Sequence, residues 1–421
     1  MTSCLSRYLT VIPGILFAAI IVSCNSCEKE DRWFKNDTEE SDADTVEEQE
    51  KNGNLDGERD SEPRGNPFCV SKGMDSGHGA SLFGSTIAFI EGTSNATNID
   101  GINHYHLIHI YDLGTDRLLT LDHGSVCSLI EGKGIVSMDK DSPCLFGREL
   151  HYLCGYGQSG GGMYDAIIHT YDLDTGEVTH VPSSAPNIKT GPYCGRVNTV
   201  AWRDTRAGIM DANILYYDLR HGKEHFVADN PTNQDLGDLS SEYLVYTDDE
   251  YSPYNEIVLY QFATEENRRI TDDEARQDFP RVDGDYIVWT DFRNGWWDPG
   301  GYWYNSDVYL YRISTGEEIG LTIDSTADQE IADVHGDFVA WTDLRHGGRD
   351  QIGQYLNSEI YLYRISTGQR WRITNTDDYN ERAPQIFDNS MIWYGSDIGA
   401  KWYDAQVYYY DFTHLLEGDG G

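Results

Sequence analysis

Two stretches of this chain carry nearly the same residues 52 positions apart, and that repetition constrains the fold more than any other feature. Asp285-Tyr-Ile-Val-Trp-Thr-Asp291 returns as Asp337-Phe-Val-Ala-Trp-Thr-Asp343, and Tyr309-Leu-Tyr-Arg-Ile-Ser-Thr-Gly316 returns as Tyr361-Leu-Tyr-Arg-Ile-Ser-Thr-Gly368. A period of this size marks an array of supersecondary units, each too small to bury its own apolar face. Degenerate copies of the first motif stand at Ser85–Glu91, Gly134–Asp139, Asn198–Asp204, Glu242–Asp248 and Asn389–Tyr394. Copies of the second stand at Leu107–Asp112, Ile167–Asp172, Asn213–Asp218, Glu256–Tyr260 and Gln406–Asp411, so each motif occurs seven times.

Every copy reads as strands. Ile287-Val288-Trp289 and Val308-Tyr309-Leu310-Tyr311 are β-branched and aromatic, and Asp283-Gly284, His335-Gly336 and Ser314-Thr315-Gly316-Glu317 supply hairpin turns. A third run (Arg268-Arg269-Ile270-Thr271, Trp371-Arg372-Ile373-Thr374) follows, and a fourth (Phe279-Pro280-Arg281-Val282) precedes. Four short strands in each unit of ~45–50 residues, with almost no helical periodicity, make a β-propeller blade. The expected fold is all-β: one propeller of seven four-stranded blades, with six or eight left open because the first copies are degenerate. At these residues the chain resembles the TolB-like family of propellers. That repeat runs Asp-Gly, an Ile-Val-Trp strand, an Asp-Arg turn, an Ile-Tyr-Leu-Tyr strand, then Thr-Gly and a short strand ending in Thr. Blades one and two depart from the pattern: both lack Asp-x-Arg, and Ser137 stands where Trp202, Trp289, Trp341 and Trp393 stand elsewhere. The seventh copy lacks a fourth strand, which Asn66-Pro67-Phe68-Cys69-Val70-Ser71 is expected to provide, closing the ring.

Residues 1–23 read as a signal peptide, with Arg7 ahead of an apolar stretch from Leu9 to Val22 that is too short to span a bilayer. It closes on Ile21-Val22-Ser23-Cys24, which resembles a bacterial lipobox. The resemblance implies cleavage before Cys24 and lipidation of its sulfur, a stable anchor once several acyl chains are present. Asn25 then favours the outer membrane by resemblance to enteric sorting rules. Residues 24–65 read as a disordered acidic tether: 25–65 hold 15 acids against 6 bases, with only Trp33-Phe34 to build on. The propeller spans 66–416 and a flexible tail 417–421.

Charge narrows the function classes. The chain carries 71 acids and 31 Lys plus Arg, a net of -40, and residues 66–421 alone hold 56 acids against 24 bases. Nucleic-acid affinity rests on Lys and Arg neutralising phosphates, so no such partner is expected. Six cysteines follow Cys24: Cys27, Cys69, Cys127, Cys144, Cys154 and Cys194. They suit an oxidising compartment. Cys144 and Cys154 flank a long loop of blade two and are expected to bridge its base. Cys127 and Cys194 each enter an innermost strand of neighbouring blades and form the other expected pair, although six cysteines allow 15 connectivities.

Candidate chemistry is sparse. Gly155-Tyr-Gly-Gln-Ser-Gly-Gly161 satisfies two glycine motifs but lacks their strand–turn–helix context and reads as a loop. His104 and His106 would share a strand face, yet His109 and His169 fall where other blades place Tyr309, Tyr361 and Tyr408, which is a packing position. No metal site, catalytic set or cofactor is assigned. Asp204-Thr-Arg206, Asp291-Phe-Arg293 and Asp343-Leu-Arg345 recur. Their Asp caps a turn and their Arg reaches a neighbouring acid, or the guanidinium groups of Arg206, Arg293 and Arg345 face an acidic ligand. Fifteen-residue insertions follow, Phe292–Ser306 and Leu344–Ser358. The first holds Trp296, Trp297, Tyr302, Trp303 and Tyr304, and blade six adds Tyr355 and blade seven Trp402 and Tyr403. Such loops either collapse over the ring or serve as a recognition surface. The acidic links Thr271-Asp-Asp-Glu274, Asp324 with Asp328, and Asp377-Asp378 read as solvated turns rather than Ca²⁺ sites.

The functional expectation is a lipid-anchored envelope protein whose propeller recognises a protein or glycan without catalysis, touching membrane only through its anchor. A lyase-like propeller enzyme acting on acidic polysaccharide, which the resemblance to seven-bladed lyases implies, and a structural envelope protein are the alternatives.

Overall fold

A computed structural model describes residues 67–416, except 75–76, 100–101, 122–134, 159–164, 183–188, 206–211, 229, 231, 251–253, 298–302, 324–326, 351–352 and 401–403. The signal segment, Cys24, the acidic tether and residues 417–421 lie outside the described residues. Within them, β-hairpins follow one another in an up-and-down order, and seven four-stranded blades form a ring. Blade four shows the plan: strands Gln234–Leu239, Tyr243–Asp248, Glu256–Gln261 and Glu266–Arg269 pair in sequence order, from the central channel outwards.

One position explains why these sequences make a ring. On the second strand of every blade an aromatic side chain is buried: Phe89, Tyr152, Trp202, Tyr246, Trp289, Trp341 and Trp393, none more than 3% exposed. In register, the third strand sets His109, His169, Tyr309, Tyr361 or Tyr408 beside it. The rings stack at 5.9 Å in Trp289/Tyr309 and 5.7 Å in Tyr152/His169. Each aromatic packs against the blade before it. Trp289 meets Val245 and Ile257 of blade four, and Phe89 meets Ile392 and Val407 of blade seven. Seven apolar clusters thus fill the seven junctions, so no blade completes its core alone.

Blade two corrects the sequence reading. Gly134–Asp139 is no second strand: Ile135–Phe146 is the innermost strand and Glu149–Gln158 the second. Tyr152, not Ser137, holds the Trp position, as its register with His169 shows. Gly155 to Gln158 therefore belong to a strand rather than a loop, while Ser159–Gly161 lie outside the described residues. Blades one and two are also joined by a parallel pairing, Asn103 with Ser137 and His104 with Met138.

The same shift changes the disulfides. Cys144 stands on the innermost strand of blade two and bonds Cys194 on the innermost strand of blade three, with Cα atoms 6.0 Å apart. The expected Cys144–Cys154 pairing is overturned; Cys154 and Cys69 are each disulfide-bonded elsewhere, and Cys127 lies outside the described residues.

Closure follows the expectation. Phe68–Cys69 pairs with Gln406–Asp411 and completes blade seven as its outermost strand. Val70 N donates to Val407 O at 2.8 Å, and the Ser71 hydroxyl joins Gln406 Oε1 at 2.6 Å and Val407 N at 3.0 Å. This latch covers a strand edge that would otherwise be open. Deleting residues 66–72 should lower Tm by several degrees in a thermal melt; an unchanged Tm would remove the latch from the fold's stability.

Candidate functional site

The face carrying the insertions begins where each second strand ends, and a repeated clasp fixes it there. Trp289 Nε1 donates to Asp291 at 2.8 Å, Trp341 Nε1 to Asp343 at 2.9 Å, and Trp202 Nε1 to Asp204 at 3.2 Å. Asp291 also caps the turn by accepting Arg293 N at 2.9 Å, and takes two guanidinium bonds from Arg293 at 3.0 and 2.7 Å. Arg293 continues to Glu318 at 2.7 Å and lies 4.2 Å over the Tyr309 ring. Asp343 and Arg345 repeat this, with Arg345 4.6 Å over Tyr361. Both Asp residues are buried, and three or more donors offset the cost of taking each carboxylate out of water. Burial works against the Arg293 charge, but Asp291 and Glu318 overcome it and raise its pKa. These guanidinium groups are spent on the protein's own acids. Arg206 lies outside the described residues.

Two hairpins rise from the clasps. In blade five, Trp296–Trp297 pairs with Trp303–Tyr304, setting Trp296 opposite Tyr304. Gly295 precedes it, where a Cβ would collide with the Tyr304 carbonyl. In blade six, Gly348–Arg349 pairs with Tyr355–Leu356 after Gly347, whose Cβ would strike the Leu356 carbonyl. The scaffolds match and the surfaces differ. Trp296 is 53% exposed, its ring stacked 5.9 Å from Tyr304. At the place of Trp297 stands Arg349, which turns inward to Asp328 at 2.7 Å and Glu330 at 2.5 Å, 4.8 Å over Tyr355. Burial, then the charge of Glu330, pushes the Tyr355 hydroxyl well above its ordinary pKa. Tyr355 is packing, not display. The structure thus brings Trp296 and Tyr304 together, and places Trp297 and Trp303 by backbone register; Tyr302 and Trp402 lie outside the described residues.

The remaining candidates have internal partners. His109 bonds Glu91 at 2.9 Å and Thr120 at 2.9 Å while stacking on Phe89 at 5.3 Å. His104 and His106 lie on the strand Ile102–Asp112, with side chains outside the described residues. Among the described residues no group of three or more His, Cys, Asp and Glu is arranged to hold a metal. Asp273 caps its own turn through Ala275 N at 2.7 Å, and Asp272 pairs with Arg269 at 2.8 Å. What the sequence reading missed is a row of buried acids at the starts of third strands and at one first strand. Glu256, Glu359 and Glu381 are all fully buried, and Glu256 and Glu359 are matched by Arg269 and Arg372. The Thr two residues beyond the fourth strand in blades four, five and six was the available signal: Thr271 donates to Glu256 at 2.7 Å, and Thr374 accepts Ile360 N at 2.9 Å.

No protein-family model matches the chain, and no curated relative is found. Among solved structures, it is similar to the β-propeller domain of the Trilobed protease from Pyrococcus furiosus, with TM-score 0.55 and 10% identity over 84% of this chain and 95% of that one. It is similar to an oligogalacturonate lyase in complex with manganese, with TM-score 0.53 and 12% identity over 86% and 100%. It also matches the Pyrococcus horikoshii acylaminoacyl peptidase, with TM-score 0.54 and 12% identity, over 82% of this chain and about half (54%) of that one. The Trilobed protease domain is described as having an open velcro topology, whereas here Phe68–Cys69 closes the ring.

Two predictions separate scaffold from surface. Asp343→Ala strands Arg345 and the Trp341 ring nitrogen and should cost about 3 kcal/mol by chemical denaturation, whereas exposed Trp296→Ala should stay within about 0.5 kcal/mol. The second concerns pH. Burial pushes the Glu359 carboxyl up to about 7 despite its bonds from Arg372. An acid with a raised folded pKa stabilises the fold while protonated: the contribution is complete below about 4.5 and lost as pH rises through about 7. Glu359→Gln should therefore gain on the native chain between about pH 5 and about pH 8; the same gap at both values would refute this.

Proposed function

We propose that the chain is a non-catalytic recognition module of the bacterial envelope, anchored through lipid on Cys24 and engaging a protein or glycan with the blade-five hairpin. The observation that supports this most is the exposure of Trp296 on a ring-stacked hairpin whose base is tied into the core through Asp291 and Gly295. A large aromatic surface held rigid loses little conformational entropy on binding, which is how interface hot spots are built. The lipobox, the acidic residues 25–65 and the TolB-like character of the repeats belong to the same reading: the tether would let the ring stand away from the bilayer.

A second reading, an enzyme acting on acidic polysaccharide, has in its favour the fold shared with the oligogalacturonate lyase. Capture from envelope extracts and glycan arrays, with residues 66–421 as bait, tests the first. Trp296/Trp297/Trp303→Ala should lose the captured partner while keeping its Tm. Equal capture by both baits would demote the hairpin to packing. Chelator-sensitive release of unsaturated product from polygalacturonate would favour the enzyme.

A further inference from the structure

At the opposite end of the channel lies a different chemistry. Every innermost strand carries a β-bulge at the same place. The residue after it faces a cavity of ≈ 570 Å³, which runs toward the hairpin turns joining first and second strands. On five successive blades this residue is Tyr193, Asp238, Arg281, Asp333 and Gln385. The polar groups latch neighbouring strands: Arg281 donates to Gly237 O, Val282 N to Asp238 at 3.2 Å, and Ile386 N to Asp333 at 2.7 Å. Those latches are backbone bonds, and the charges do not cancel. The Arg281 guanidinium feels both the Asp238 and the Asp333 carboxylate, and Asp283 adds a third acid at the cavity rim, 3.9 Å from His335.

The rim continues as an aromatic arc. Phe146 meets Phe83 edge-on at 5.2 Å, Phe83 meets Phe387 at 4.5 Å, and Phe387 stacks on His335 at 4.8 Å. All four line the cavity. Ring faces carry negative potential, so an arc of them beside an excess of carboxylate attracts a positive group with an apolar body. Burial also pushes the Asp238 carboxyl up to about 7 and raises that of Asp333. A cation beside a desolvated carboxylate favours its charged form and takes the place of the missing water.

We propose that this cavity is a binding site for a small organic cation, an ammonium or guanidinium group on an apolar stem, with its charge on Asp333, on the side away from Arg281, and its stem against Phe83 and Phe387. The site is independent of the hairpin on the other face. Arg281 tunes it by repulsion, so its removal strengthens binding while loss of an acid weakens it.

Calorimetry on residues 66–421 with phenylethylammonium and agmatine as probes, and galacturonate as an anionic control, tests the assignment. Saturable binding of either cation at one site is expected, with none of galacturonate. Asp333→Asn should weaken the cation at least tenfold, Phe387→Ala several-fold, and Arg281→Gln should tighten it. A soaked crystal of the unaltered protein, which depends on no variant folding, should place the cation beside Asp333 with its stem against Phe83 and Phe387. Absence of saturable cation binding, a cation seated elsewhere, or galacturonate binding lost in Arg281→Gln would each overturn the proposal.

Discussion

The ring stands on one wedge repeated seven times, an aromatic side chain on the second strand driven into the blade before it. A four-stranded blade has two faces and cannot cover either. Burial of Trp289 or Trp341 against its neighbour converts that defect into the force that orders the circle. The wedge also carries a polar handle. An indole nitrogen buried this deeply needs an acceptor, and Asp291 or Asp343 two residues on provides it. A buried carboxylate needs more than one donor, which the turn amide and the guanidinium of Arg293 or Arg345 supply. Trp, Asp and Arg thus recur together because each satisfies a need that the previous one creates.

That chain of needs ends where the insertions begin, and so positions them. Gly295 and Gly347 follow two residues after Arg293 and Arg345, and both admit a carbonyl that no other side chain would tolerate. With the bases equal, the hairpins diverge along both strands, Trp303-Tyr304 in blade five standing where blade six has Tyr355-Leu356. Trp296-Trp297 in blade five stands where blade six has Gly348-Arg349. The arginine folds onto Asp328 and Glu330 and becomes part of the ring, and the tryptophan at 296 stays in solvent. Duplicated scaffolds with diverged tips separate stability from recognition, as loops on a rigid frame generally do.

Blade number, the third strands and the closing latch were legible because period-2 strands, Gly turns and the 52-residue repeat report on local structure that tertiary packing does not override. Blade two was not, and one cause accounts for two errors. Tyr152 replaces Trp, and Cys154 stands two residues later where an Asp would complete the clasp, so Gly134–Asp139 resembles the repeat more than the true second strand does. With that strand displaced, Cys144 fell into a supposed loop. Its true place on an innermost strand beside Cys194 became visible only with the register in hand. Neighbouring innermost strands do share a disulfide, with Cys144 rather than Cys127 as the partner of Cys194. The cavity was illegible for another reason: Tyr193, Asp238, Arg281, Asp333 and Gln385 hold one structural position with unlike residues, and only the bulges align them.

The charge balance gives these surfaces a direction. Residues 66–421 carry 56 acids against 24 bases, and several of those bases, Arg269, Arg293, Arg345, Arg349 and Arg372 among them, are committed to internal carboxylates. Each pair removes an acid together with a base, so the net field stays negative as composition implies, while Arg293 and Arg345 are turned inward at the insertion face. Such a field lowers the local concentration of anions and raises that of cations over a Debye length, ~8–10 Å at ordinary salt. An acidic polysaccharide would approach the Trp296 hairpin against this potential, with neither Arg293 nor Arg345 turned toward it. A neutral sugar or a basic protein segment meets no such opposition. The same field that weakens the case for an acidic substrate at one end of the ring favours a positive group at the other, where Asp238 and Asp333 outnumber Arg281.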